Sequence, residues 1–152
     1  MGIIEKTIEI KASPEKVWEM LALDRLSEWM FFERVEYTTE MSTPEDKYRV
    51  GATAHGTPNG GELNNCHFEI TDSLEKEKIT YRLWEKVYHG ISGGLITSIL
   101  EPIEGGTRFT YEFNLNEIPW GILGKIISPL IMRMGKRDFD RSLKNLKKIL
   151  EK

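Results

Sequence analysis

Cysteine is almost missing from this chain: Cys66 is the only one among 152 residues. An internal disulfide and every multi-cysteine metal site are thereby excluded. Histidine is scarce too. His55, His67 and His89 are the three, and no HxH, HxxxH or HExxH spacing joins them, so no metal is expected. There is no dinucleotide or Walker glycine pattern, and neither Ser128 nor Ser142 sits in a nucleophile elbow. No cofactor is implied. Long apolar runs are also absent. The longest, Ile118 to Met134, is broken by Pro119, Lys125, Pro129 and Arg133, too often for a membrane span. The opening MGIIEKTIEIK has no basic start leading into an apolar core, so no secretory leader is expected. The expected location is the cytoplasm, which a lone thiol fits. No repeat, low-complexity tract or linker appears, and the length predicts a single domain over 1–152.

What is present is ordinary in bulk and uneven in layout. The chain is 39% hydrophobic and 30% charged, with a net charge of −3, which is globular and too apolar for disorder. Residues 1–124 hold 12 Lys and Arg against 21 Asp and Glu, a balance of −9. Residues 125–152 hold 9 against 3, a balance of +6. An acidic body carries a basic tail. The aromatic residues do not interleave with a basic strand patch, so no nucleic-acid partner is expected.

Period-two alternation over 3–11, with Ile4, Ile8 and Ile10 on one face, predicts a half-buried strand. Ser13-Pro14-Glu15 announces a helix bearing Val17, Trp18, Met20 and Leu21. Asp24 is placed to cap a second short helix over 25–30. Six strands follow, at about 33–40, 49–57, 63–72, 77–87, 92–101 and 107–116. They are separated by turn sequences such as Thr57-Pro58-Asn59-Gly60-Gly61 and Glu104-Gly105-Gly106-Thr107, with a short polar connection at 73–76. Short spacings favour antiparallel hairpins over crossovers. Pro119–Ile127 is a further helical segment. From Ser128-Pro129 onward, Met132, Phe139, Leu143, Leu146 and Leu150 form the apolar seam of a long helix. The order is that of an α+β domain with a helix laid on an antiparallel sheet.

Three stretches carry a family likeness. They are Ile8-Glu9-Ile10-Lys11-Ala12-Ser13-Pro14-Glu15-Lys16-Val17-Trp18 with Trp29 beyond it; Leu100-Glu101-Pro102 with Gly105-Gly106-Thr107-Arg108-Phe109-Thr110-Tyr111; and Pro119-x-Gly121 leading to Ser142-Leu143-x-x-Leu146-Lys147. In this order they resemble the START-related, birch-pollen-allergen-like superfamily (SRPBCC, or helix-grip), and within it the polyketide cyclase/dehydrase branch. The resemblance implies a curved seven-stranded antiparallel sheet gripping a long C-terminal helix, with two short helices after the first strand and a hydrophobic cavity between sheet and helix. Its expected lining is Phe68, Tyr81, Leu83, Glu85, Tyr111, Phe113, Gly135 and Phe139. Gly135 and Ser142 would leave room on the helix. Plain core packing is the competing reading of each apolar member.

The expected function is binding of a small hydrophobic molecule (a lipid, an isoprenoid or a polyketide-like aromatic) for carriage or sensing. An enzyme alternative, a cyclase or dehydratase, would draw on Tyr81, Glu85 and Tyr111, none of which matches a catalytic motif. A carboxylate such as Glu85 would have a raised pKa in an apolar pocket and be plain at a wetted strand end. His67 and Glu69 lie two apart on one strand face. Their neighbours Cys66, Phe68 and Ile70 make the better apolar face, which puts the pair outside and Cys66 inside. Arg82 and Trp84 fall opposite Tyr81 and Leu83. A third reading, a chaperone accessory or membrane-docked protein, rests on the basic closing helix. Such a helix is most simply a solvated face, and peripheral contact with anionic lipid is the sharper option.

Overall fold

The computed structural model describes residues 3–30, 32–58, 66–87, 90–117, 137 and 139–152. Seven strands form one antiparallel sheet: β1 (Ile3–Ile10), β2 (Phe32–Tyr37), β3 (Thr53–Pro58), β4 (Cys66–Leu74), β5 (Lys78–Val87), β6 (Gly90–Ile103) and β7 (Gly106–Glu117). Their order is β1-β7-β6-β5-β4-β3-β2. Strands β2 to β7 therefore follow one another as hairpin neighbours, as the short connections predict. Strand β1 closes on β7, from Ile3 opposite Asn114 to Ile10 opposite Thr107.

The expected first helix is present as α1 (Pro14–Glu19), with Ser13 accepting a hydrogen bond from the Lys16 amide at 3.4 Å and Pro14 in its first turn. The expected second helix differs. It is a 3-10 turn over Leu23–Glu28 whose cap is Ala22, not Asp24. Asp24 is instead paired with Lys47 at 3.0 Å. The Trp29 indole N–H donates to the Met20 carbonyl at 2.8 Å and fixes the way out of the turn. A second 3-10 turn, Pro44–Tyr48, occupies a stretch to which the sequence pattern assigns nothing. Asp46 organises it by accepting from the Ser42 and Thr43 amides at 2.9 and 3.1 Å. Because of this turn β3 begins at Thr53 rather than 49. Strand β4 runs on to Leu74, so the tight turn falls at 75–77, where Lys76 takes a φ of 61°.

Register shifts occur between Phe32 and Arg34, Ile70 and Asp72, and Gly93 and Leu95. Such irregularities bend and twist the strands that carry them, which is how a sheet of this size curves around a helix. At the last of them a side chain is excluded. A Cβ on Gly94 would lie 2.4 Å from the Asn114 carbonyl oxygen.

The closing helix, α2, is described at 137 and through 139–150. Phe139, Leu143 and Leu146 are buried, while Arg141, Lys144, Lys147 and Lys148 face water. Each buried side chain contributes on the order of 1.5–3 kcal/mol. The polar side of α2 runs along β1. Asp140 pairs with Lys6 at 3.3 Å, the Lys147 ammonium donates to the Glu9 carbonyl at 2.9 Å, and Glu151 accepts from the Lys11 amide at 2.9 Å. The Lys147 contact occupies a main-chain carbonyl of an edge strand, and such groups left open invite pairing. Expectations for Pro119–Ile127, Ser128-Pro129, Met132 and Gly135 lie outside the described residues. The result is an α+β helix-grip fold with a curved seven-stranded sheet.

Candidate functional site

The inner face of the sheet is set by alternation. Ile79, Tyr81 and Leu83 point inward from β5; Ile96, Ser98 and Leu100 from β6; Phe109, Tyr111 and Phe113 from β7. Phe68 and Ile70 extend this wall on β4. The aromatic members form a connected layer. Tyr111 lies 4.6 Å from Phe139 of α2 between ring centroids, Phe113 lies 5.2 Å from Phe139, and Trp29 meets the edge of Tyr111 at 5.8 Å. Phe68 bridges Phe32 at 5.2 Å and Tyr81 at 6.4 Å. Such offset and edge-on pairs add to the effect of burial.

Five of the eight expected lining residues, Phe68, Tyr81, Leu83, Tyr111 and Phe113, are thus brought onto one surface, and Phe139 faces it from α2. The Glu85 main chain pairs with Cys66 and Ser92, but its side chain lies outside the described residues, as do the Cys66 side chain and Gly135. Exposure along the wall has a direction. It is nil at Tyr81 and Tyr111 and rises to 6% at Leu83 and 9% at Phe113, the next inward positions on the same strands.

Polar groups on this surface are few and poorly served. The Tyr81 hydroxyl reaches the Leu21 carbonyl only at 3.5 Å. The Tyr111 hydroxyl donates to the Met30 thioether sulfur at 3.5 Å, a weak acceptor. Ser98, which alternation places inward but which the sequence reading passes over, is fully buried beside the Tyr81 hydroxyl. Burial raises the pKa of both phenols, strongly for Tyr111; a neighbouring Ser98 hydroxyl offsets part of the rise at Tyr81. Both stay protonated and act as donors.

The remaining candidates sort as alternation predicts. His67 and Glu69 are half-buried on the outer face, with Phe68 and Ile70 inward. His55 lies opposite His67, ring centroids 5.4 Å apart. Among the described residues no group of three or more His, Cys, Asp and Glu is placed to hold a metal. No described helix is long and apolar enough to cross a membrane. A cleft of about 440 Å³, not foreseen from sequence, opens between α1 and the two 3-10 turns, lined in part by Arg25, Met41, Lys47 and Tyr48. Its cations are already engaged, Arg25 by Glu28 and Lys47 by Asp24.

A family model described as "Polyketide cyclase / dehydrase and lipid transport" matches residues 1–151. The chain belongs to that family. Among solved structures, the Aha1 dimer from Colwellia psychrerythraea is similar at 24% identity and a TM-score of 0.68, with 99% of this chain and 97% of that one covered. A protein from Mesorhizobium loti is 16% identical with a TM-score of 0.70, over 98% and 96% of the two chains. DynU16, a protein in the dynemicin biosynthetic locus, is 15% identical with a TM-score of 0.64, over 98% of this chain and 47% of its own. These likenesses extend to the fold. No curated protein matches the sequence.

Proposed function

We propose that this member of the polyketide cyclase/dehydrase and lipid-transport family binds a small hydrophobic molecule between the inner face of its sheet and α2, for carriage or sensing. The proposed lining is Phe68, Tyr81, Leu83, Glu85, Tyr111, Phe113, Gly135 and Phe139. One observation carries the reading: an aromatic wall meets the closing helix at Tyr111 and Phe139 and becomes less enclosed toward Leu83 and Phe113. That is the side from which a ligand would enter. Apolar walls with a few polar groups are the usual form of small-molecule sites.

The enzyme alternative needs a group that accepts a proton. Tyr81 and Tyr111, held neutral by burial, do not serve as bases near neutral pH, so in that alternative the proton acceptor would be Glu85. The test is native mass spectrometry of protein purified from its own host, followed by titration with lipid, isoprenoid and aromatic polyketide libraries. A retained small molecule, or saturable binding weakened by Phe113→Ala, is expected. Empty protein together with no binding across the libraries overturns the reading.

A further inference from the structure

The charged residues of α2 divide by the side of the helix they occupy. Asp140, Lys147 and Glu151 lie on the flank beside β1, and each has a partner there: Lys6, the Glu9 carbonyl and the Lys11 amide. Arg137, Arg141, Lys144 and Lys148 lie elsewhere. Their spacing is i, i+4, i+7 and i+11. At about 100° of turn per residue, they fall within an arc of about 60° and span about 16 Å of helix. That arc is nearly opposite Phe139, Leu143 and Leu146, the side chains that α2 buries against the sheet. All four cations are exposed, and among the described residues no carboxylate forms a salt bridge with any of them. They make a ridge of one sign that points straight away from the sheet.

Fold stability does not account for this ridge. Like charges three or four residues apart on a helix repel one another, and each neighbouring pair in the row has that spacing. The helix dipole favours a cation in the last turn only, which covers Lys148. The rest of the protein has the opposite sign, with a balance of −9 over residues 1–124.

We infer that the ridge docks the protein on an anionic lipid bilayer. A bilayer is a flat sheet of negative charge, and a straight row of cations meets it along its whole length. The acidic body is repelled by the same surface, so contact through α2 is the orientation the charge pattern favours. The apolar side of α2 is taken up by the core. Docking is therefore electrostatic, with the helix lying on the headgroups. The choice of a bilayer over another polyanion rests on the binding role proposed above. Through Phe139, α2 covers the aromatic wall, so docking sets the proposed site beside the phase in which a hydrophobic ligand dissolves.

Cosedimentation of the full chain with vesicles tests this. The vesicles are phosphatidylcholine alone or with about a third phosphatidylserine, in about 50 and 300 mM salt at neutral pH. Binding is expected with phosphatidylserine at low salt and not without it. It should weaken about tenfold or more at high salt, where screening shortens the reach of surface charge. Arg141→Gln, Lys144→Gln and Lys148→Gln should each weaken it about fivefold, the share of one cation near such a surface. Lys16→Gln, which removes an exposed cation from α1, should leave it unchanged. Circular dichroism checks the fold of each variant. Equal binding to both kinds of vesicle overturns the inference, as does binding that the three α2 variants leave intact. Tighter binding to polyglutamate or duplex DNA at matched charge also overturns it, and points to a protein or nucleic-acid partner. Absence of vesicle binding at low salt overturns the docking alone, because the ligand titrations are made without vesicles and judge the site separately.

Discussion

The ring of Tyr111, on β7, lies 4.6 Å from that of Phe139, on α2. This is where sheet and closing helix hold each other. Phe113 meets the same Phe139 ring at 5.2 Å, so a single helical side chain joins two inward positions of one strand. Phe139→Ala should cost about 3–5 kcal/mol, the usual range for emptying a buried phenylalanine site. Urea denaturation followed by tryptophan fluorescence reads the loss, and a change under 1 kcal/mol would show that the seam is held elsewhere.

Trp29 contributes packing and one buried hydrogen bond, from its indole N–H to the Met20 carbonyl at 2.8 Å. Trp29→Phe keeps an aromatic ring and removes the donor. The stranded carbonyl should cost about 1–3 kcal/mol, and thermal denaturation of the variant beside Trp18→Phe checks it.

Gly94 sits where β6 and β7 shift register, and an added Cβ would press on the Asn114 carbonyl at 2.4 Å. Backbone cannot rotate away as a side chain would. Gly94→Ala should destabilise by about 1–3 kcal/mol and disturb amide resonances of both strands around Gly93–Leu95. Full stability in the variant would show that the shift is not needed.

Asp46 has its pKa lowered from 3.8, chiefly by hydrogen bonds from the Ser42 and Thr43 amides. The folded state thus holds the charged form better than the unfolded chain does. The linked stability is present above the unfolded pKa and is lost as pH falls through the lower, folded one. Melting temperature measured from pH 6 to pH 2 should decline at the acid end, and Asp46→Asn should flatten that decline while lowering the melting temperature at pH 7.

Burial acts in the opposite direction on the tyrosines. Tyr37, Tyr81 and Tyr111 are all raised above the ordinary 10.0, and Tyr48 is pushed up to about 12. Unfolded chain loses phenolic protons first, so stability is intact below pH 10 and falls as pH rises beyond it. Absorbance at 295 nm should show these four phenols ionising together with unfolding. Stepwise ionisation of all four near pH 10 in folded protein would contradict their burial.

Much of the architecture is legible in local pattern. The alternation of Ile4, Ile8 and Ile10 and the Ser13-Pro14 start each rest on interactions within a few residues, and both appear as expected. Asp24 misleads because its carboxylate is claimed by Lys47, 23 residues away. The Pro44–Tyr48 turn escapes notice because its organiser, Asp46, acts backward on Ser42 and Thr43 rather than through any hydrophobic period. Of the candidate site, the inward aromatic residues are legible from strand parity. Ser98 shares that parity, but a lone serine in a strand carries no signal of its own.

The sequence by itself determined which side chains of a strand share a face, because alternation along a strand is a local geometric rule. It also determined the split between an acidic body and a basic tail. Only the tertiary structure decided that Lys147 is spent on the β1 main chain, and that Tyr81, Ser98 and Tyr111 come together on the inner wall. Both depend on what three separate strands and a helix place opposite one another. Whether a buried hydroxyl is satisfied is a property of its surroundings, not of its position in the chain.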